Sequence, residues 1–156
     1  MTWRIILLAT LGSVALLGGA LAFQYVGGLR PCHLCLIERW PHRIAIVIGV
    51  LALILSGVAV RRGLAVLGGL TMLVSAGAGL YHVGVERRWW EGPTTCTSGD
   101  ISGMDTSALL DQILAAPVVR CDQIAWEMWG ISMAGWNGLL SLGLAILWFA
   151  AAARRD

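Results

Sequence analysis

Charge is scarce in this chain. Only 13% of its 156 residues are charged, and lysine is absent, so that all eleven basic residues are arginines. A soluble domain carries about 25% charged residues, which excludes that class. A disordered chain is excluded by the same scarcity, since it needs many charges and few apolar groups. Eleven arginines against nine acids leave a net charge of +2. That is too small and too scattered a surplus for a nucleic-acid binder. Internal repeats, linkers and low-complexity tracts are also missing, and the length suits one domain spanning residues 1–156. Hydrophobic residues take the place of charge, at 58% of the chain, with a mean hydropathy of +0.77. Eight tryptophans fit a protein with membrane–water interfaces, where an amphipathic ring sits half wet.

Four stretches run without charge for long enough to cross a bilayer: 5–23, 44–60, 63–83 and 130–153. Pro41-His42-Arg43 leads into the second, so its span starts at about residue 42. About 20 helical residues cover a hydrocarbon core of roughly 30 Å. Unbroken apolar runs, rather than alternating ones, predict helices and not a barrel. The first run resembles a signal peptide, with Arg4 ahead of it and Ala20-Leu21-Ala22 at its end. It is longer than an ordinary signal core and is expected to stay as a span.

Arginine density sets the orientation. Five arginines crowd into three short segments, Arg4 near the start, Arg61 and Arg62 between spans two and three, and Arg154 and Arg155 near the end. Short arginine-rich flanks stay in the cytoplasm. The expectation is an all-α membrane protein: a four-transmembrane-helix bundle with both termini cytoplasmic and two extracytoplasmic loops, 24–41 and 84–129. An Arg61–Arg62 turn makes spans two and three an antiparallel hairpin. All four cysteines then lie on the outer face, Cys32 and Cys35 in the first loop, Cys96 and Cys121 in the second. Small residues stud the spans, among them Gly12, Gly68, Gly69, Gly79 and Gly138, and are read as packing surface that lets helices approach closely. In the second loop, residues 105–107 can cap a short helix carrying Leu109, Leu110, Ile113 and Leu114, stopped before Pro117.

The first loop holds Pro31-Cys32-His33-Leu34-Cys35. A C-x-x-C pair serves as a redox disulfide, half a zinc site or a haem anchor. Haem attachment needs His directly after the second Cys, where Leu36 stands. Zinc wants four ligands, and Cys96 and Cys121 do not form a second C-x-x-C, so metal is the lesser reading and none is expected. Redox chemistry fits the local physics. Pro31 suits the first position of a helix, which places Cys32 beside unpaired N–H groups that favour its thiolate. Arg39 lies four residues past Cys35 and shares a helix face with it, where its guanidinium can hold a thiolate or an electron-rich oxygen. Pro41 is expected to break or kink this segment before span two. His33 and His42 are given no catalytic role, His42 being placed at the headgroups.

Cys96 sits in a turn-rich polar stretch, open to attack by a bulky protein thiol. A bridge from Cys96 to Cys121 would close a loop of about 26 residues and could act only as a staple, for roughly 3 kcal/mol on chain-entropy grounds. The presence of the first couple favours exchange, because two dithiols on one membrane face can pass two electrons through mixed disulfides.

On these residues the chain resembles the DsbB family of bacterial disulfide-bond formation proteins. The resemblance covers nearly the whole length: Phe23-Gln24-Tyr25, the Cys32–Cys35 motif with Arg39 beyond it, Tyr81-His82, Cys96, Cys121 with Trp126 five further on, Gly130 and Met133. It implies a protein-dithiol:quinone oxidoreductase of the bacterial inner membrane with its redox sites on the periplasmic side. Its partner would be a periplasmic thioredoxin-like, DsbA-type oxidoreductase, and its cofactor ubiquinone or menaquinone. The catalytic residues implied are Cys32, Cys35, Cys96 and Cys121, with entry through a Cys96–Cys121 disulfide. Arg39, His82 and Met133 are implied around the quinone. A DsbA-like protein is itself a strong oxidant, with a potential of about −120 mV, so an ordinary thiol pool cannot re-oxidise it and a quinone can. The rivals are a membrane protein holding metal with its four thiols and a scaffold with structural disulfides.

Overall fold

The computed structural model describes residues 2–55, 57–93, 107 and 119–154. Four long helices dominate: α1 Thr2–Tyr25, α2 His33–Ile54, α3 Val58–Glu86 and α4 Met133–Ala153. Their main contacts run in a ring, α1 on α2, α2 on α3, α3 on α4 and α4 on α1. By length and composition, α1, α3 and α4 are long and apolar enough to cross a membrane. The outward faces are rich in exposed Leu, Ile and Val, such as Leu8, Val47, Val74 and Ile146, as expected where lipid, not water, is the solvent.

Small residues bring the helices together. A Cβ placed on Gly79 of α3 would lie 2.8 Å from the Gly138 nitrogen and 2.9 Å from the Ala134 oxygen of α4. Gly68 and Gly69 receive the rings of Trp148 and Phe149. The packing reading of these residues holds there, while Gly18, Gly19, Gly77 and Gly143 face open space. Trp148 is fully buried in the core beside Ile6, Met72 and Leu144. It departs from the interfacial role expected of tryptophan; Trp3, Trp40, Trp89 and Trp129 are exposed.

Several boundaries differ from the sequence reading. Helix α2 ends at Ile54 rather than near residue 60, and α3 begins at Val58. The turn therefore lies between Ile54 and Val58, where Gly57 adopts φ +126°, a conformation that side chains rarely tolerate. A search for charge-free runs passes over such a turn. Arg61 and Arg62 lie inside α3, not in the turn. Arg61 Nε donates to the Ala52 carbonyl of α2 (3.4 Å) and Arg62 Nε to the Ala152 carbonyl of α4 (3.0 Å). Both carbonyls belong to last helical turns, which lack internal donors and carry the negative end of the helix dipole. The two arginines thus close one end of the bundle.

Pro41 does not interrupt α2, which is continuous across it. A proline inside a helix removes one N–H, a loss that packed neighbours tolerate in apolar bundles. Helix α3 ends in a Schellman motif: Trp89 N–H donates to the Gly84 carbonyl and Arg88 N–H to that of Val85, with Arg88 at φ 59° in the position usually given to glycine. Before α4 the chain forms a small hairpin absent from the all-α expectation, β1 Glu127–Met128 and β2 Ile131–Ser132. Its two turn residues, Trp129 and Gly130, both have positive φ, as a two-residue primed turn requires. Ser132 then caps α4, accepting from Gly135 N–H at 3.2 Å and donating to Glu86 at the end of α3. That cap moves the start of the helix from the expected residue 130 to Met133. The expected helix over 109–114 lies outside the described residues.

Candidate redox site

At the end of the bundle away from Arg61 and Arg62, the first thiol couple sits on the start of α2. The helix begins two residues later than Pro31 suggests: His33 is its first residue and Cys32 is the N-cap. Cys32 Sγ accepts from Cys35 N–H at 3.2 Å and lies 2.7 Å from Cys35 Sγ. Both cysteines are free thiols. The Cys35 thiol, donating to Cys32, holds Cys32 below the usual thiol range, against the opposing effect of burial, and the Cys35 N–H assists. A low Cys32 was expected from the helix N-terminus. The direction agrees, but the neighbouring thiol is the leading cause.

Behind the couple runs a polar chain through the bundle. His82 Nε2 lies 3.6 Å from Cys32 Sγ, and its Nδ1 meets Glu38 Oε1 at 2.6 Å. The other Glu38 oxygen accepts from Asn137 Nδ2 at 3.0 Å. His42 Nε2 is 2.9 Å from Asn137 Oδ1 and 3.3 Å from Ser75 Oγ, to which Ser141 donates at 3.0 Å. Glu38, His42 and His82 are all buried. An ionisable group inside an apolar bundle is costly unless it is paired, and here each of the three has a partner on a different helix.

Arg39 is 8% exposed, too buried to act as an anchor at the membrane surface. Its Nη1 donates to Gln24 Oε1 at 2.6 Å and its Nη2 to the Ala20 carbonyl at 3.5 Å, both on α1. Its buried Nε has no hydrogen-bond partner among the described residues, and neither has His42 Nδ1. Arg39 and His42 both line a cavity of about 520 Å³ that also takes in Cys32, Cys35, His82 and Met133. The lining includes Leu16, Phe23, Trp126 and Leu140, and Trp126 packs on Phe23 with centroids 5.1 Å apart. Few polar groups converging in an apolar cavity is the usual form of a small-molecule site.

Cys121 is disulfide-bonded and 1% exposed. It packs in one small core with Cys32, Leu34, Val85 and the edge of Cys35, so the described half of the second couple lies beside the first. Cys96 lies outside the described residues. Of the residues singled out in the sequence, Cys32, Cys35, Arg39, His82 and Met133 line one cavity, and Cys121 adjoins it. His33 is exposed. His42, placed at the headgroups from sequence, is instead 3% exposed and belongs to the polar chain.

The sequence reading missed Glu38, Asn137 and the part played by His42. Two signals point to them. Cys35, Glu38, Arg39 and His42 follow the i, i+3, i+4, i+7 spacing of one helix face. Asn137 is the single asparagine of the chain and stands in an apolar span, where a polar residue marks a functional site by default.

A sequence profile described as "Disulfide bond formation protein DsbB" matches residues 2–151. Among curated proteins, "Disulfide bond formation protein B" of Albidiferax ferrireducens is 32% identical over 93% of this chain and 87% of its own length. The protein of the same name from Polaromonas sp. is 28% identical over 92% and 86%, and that of Verminephrobacter eiseniae 34% over 97% and 86%. No solved structure matches the chain. A profile that matches almost end to end and relatives of nearly equal length place this chain in the DsbB family of disulfide bond formation proteins.

Proposed function

We propose that this membrane protein re-oxidises a periplasmic, thioredoxin-like DsbA-type partner and delivers the electrons to a membrane quinone, as a protein-dithiol:quinone oxidoreductase. The observation that carries this reading is the burial of disulfide-bonded Cys121 in the same small core as Cys32 and Cys35. Thiol exchange between the couples needs that contact. In the proposed layout all four helices cross the inner membrane as one domain, with both termini in the cytoplasm and both thiol couples in the periplasmic part. The closure of one bundle end by Arg61 and Arg62 supports that orientation.

A partner thiolate attacks Cys96 of a Cys96–Cys121 disulfide, forming a mixed disulfide and releasing the Cys121 thiolate. Cys121 attacks Cys32 of the closed first couple and releases Cys35. The second partner thiol then resolves the mixed disulfide at Cys96, and Cys96 in turn resolves the Cys32–Cys121 bond. Two electrons have then moved from the partner to the Cys32–Cys35 dithiol. His82, with Nδ1 held by Glu38, presents Nε2 to Cys32 Sγ and takes or returns its proton.

The cavity residues fit a quinone. Arg39 lines a largely apolar chamber and keeps its buried Nε without a partner among the described residues, a guanidinium suited to a ring oxygen, and Met133 and Trp126 give apolar walls. When bound, the quinone accepts the two electrons and two protons of the dithiol. Gln24 and the Ala20 carbonyl hold the Arg39 fork in place.

The test is quinone reduction by the purified protein with a reduced DsbA-like partner. We expect turnover that requires the partner and stops in Cys96→Ser. Turnover unaffected by that change would end the relay. Arg39→Ala should raise the quinone KM at least about tenfold, the loss of one charge-assisted hydrogen bond of about 1.5 kcal/mol or more, with the partner KM unchanged. An unaltered quinone KM would remove Arg39 from that role.

A further inference from the structure

In sequence the histidine nearest the C-x-x-C pair is His33, which the fold leaves exposed, while His82 is 47 residues beyond Cys35. The fold supplies His82 as a third ligand. Cys32 Sγ, Cys35 Sγ and a ring nitrogen of His82 all lie within 4.8 Å of one another. Bonds of about 2.3 Å from zinc to sulfur and about 2.0 Å to nitrogen place tetrahedral S and N ligands roughly 3.5 Å apart. Cys32 Sγ and His82 Nε2 are already 3.6 Å apart. The two sulfurs, 2.7 Å apart, need to open by about 1 Å to reach the spacing of two thiolates on one ion.

What separates this from any dithiol is the support behind the histidine. A metal-bound imidazole usually gives its other N–H to a carboxylate, which fixes the ring and raises its basicity. His82 Nδ1 has that partner in Glu38 at 2.6 Å, and Glu38 is fixed in turn by Asn137. Two thiolates and a neutral imidazole also balance a divalent charge, releasing two protons and leaving the buried site neutral. The cavity side offers room for a fourth, exchangeable ligand.

We propose that the reduced Cys32–Cys35 couple and His82 form a three-ligand site for a soft divalent cation such as Zn²⁺ or Cd²⁺, which binds only the dithiol state and stalls it. A closed Cys32–Cys35 bond has no thiolate to offer, so binding is gated by the redox state. The site itself stands without the oxidase reading; its inhibitory consequence rests on that reading.

The experiment titrates Cd²⁺ into the full-length protein in detergent, reduced and then freed of reductant under anaerobic conditions. It follows the ultraviolet thiolate-to-cadmium charge-transfer band. We expect one ion at this site, unaffected by Cys121→Ser. Affinity should fall at least about tenfold in Glu38→Gln and further in His82→Ala, as second-layer and direct ligand losses do. Diamide-oxidised protein should give no band. Circular dichroism checks that each variant is helical, and His82→Gln serves if His82→Ala is not. Equal affinity with and without His82 would reduce the site to a bare dithiol and overturn the proposal, as would loss of the band in Cys121→Ser. In parallel, Zn²⁺ should inhibit partner-driven quinone reduction reversibly by chelator. Binding without inhibition would overturn the stalling role, while absence of turnover before zinc is added would count against the oxidase reading and leave the site in place.

Discussion

A Cys35→Ala protein will pass electrons from a reduced DsbA-like partner to quinone at least about 10³-fold more slowly than wild type, a barrier change of about 4 kcal/mol. The relay moves electrons in pairs through disulfides, and one cysteine of the first couple cannot form an internal bond. Exchange should stop at a Cys32–Cys121 or partner-linked species, visible on non-reducing gels. The same variant has a second, independent signature. The Cys35 thiol is the leading influence that holds Cys32 below the ordinary thiol range, so removing it raises the Cys32 pKa. The rate of Cys32 alkylation by iodoacetamide, plotted against pH, should therefore move its midpoint upward, with less thiolate at neutral pH. The measurement is made with Cys96 and Cys121 also replaced by serine, so that Cys32 alone reports. A midpoint that stayed in place would show that the helix N-terminus, and not the neighbouring thiol, sets Cys32. Retained turnover would remove Cys35 from the electron path.

Gly79→Leu will destabilise the folded bundle by about 3 kcal/mol or more, the upper range for forced overpacking. The contact is between backbones: even a Cβ there meets the Gly138 nitrogen and the Ala134 oxygen at 2.8 and 2.9 Å, and neither can rotate away. Helices α3 and α4 must separate, and they carry His82 and Asn137, so the polar chain behind Cys32 opens as well. Gly77→Leu is the matched control. It lies on the same helix with nothing within 4 Å, and its cost should be within about 0.5 kcal/mol. Unfolding in mixed detergent titrations reads both. Equal stability of the two variants would mean that the α3–α4 contact is looser than described.

The parts of the site that were legible in the sequence are those set by local spacing. Cys32, Cys35 and Arg39 occupy one helix start, so their neighbourhood follows from a 3.6-residue period. The placement of Cys121 against Cys32 depends on how a long connection returns to the bundle, and no periodicity encodes that. Apolar runs announced the helices, yet gave poor ends to them. Charge-based limits carried the second span past the Gly57 turn and put Arg61 and Arg62 in a loop, where the structure has them reaching back to the spent carbonyls of α2 and α4. Glu38 and His42 were hidden for a different reason. Each looks like a wet residue at a membrane surface until its partner is known, and those partners, His82 and Asn137, are 44 and 95 residues away.

Helix α2 has a consequence for biogenesis. Glu38, Arg39 and His42 lie along one stripe of it, and the bilayer alone would reject such a segment at the translocon exit. Its acceptors and donors arrive on α1, α3 and α4. In the proposed four-span layout, stable insertion of α2 must therefore wait for its neighbours, the tight turn at Gly57 delivering α3 first and α4 completing the set. On this view a chain truncated before Asn137 should leave α2 poorly integrated, although every residue of that helix has already been made.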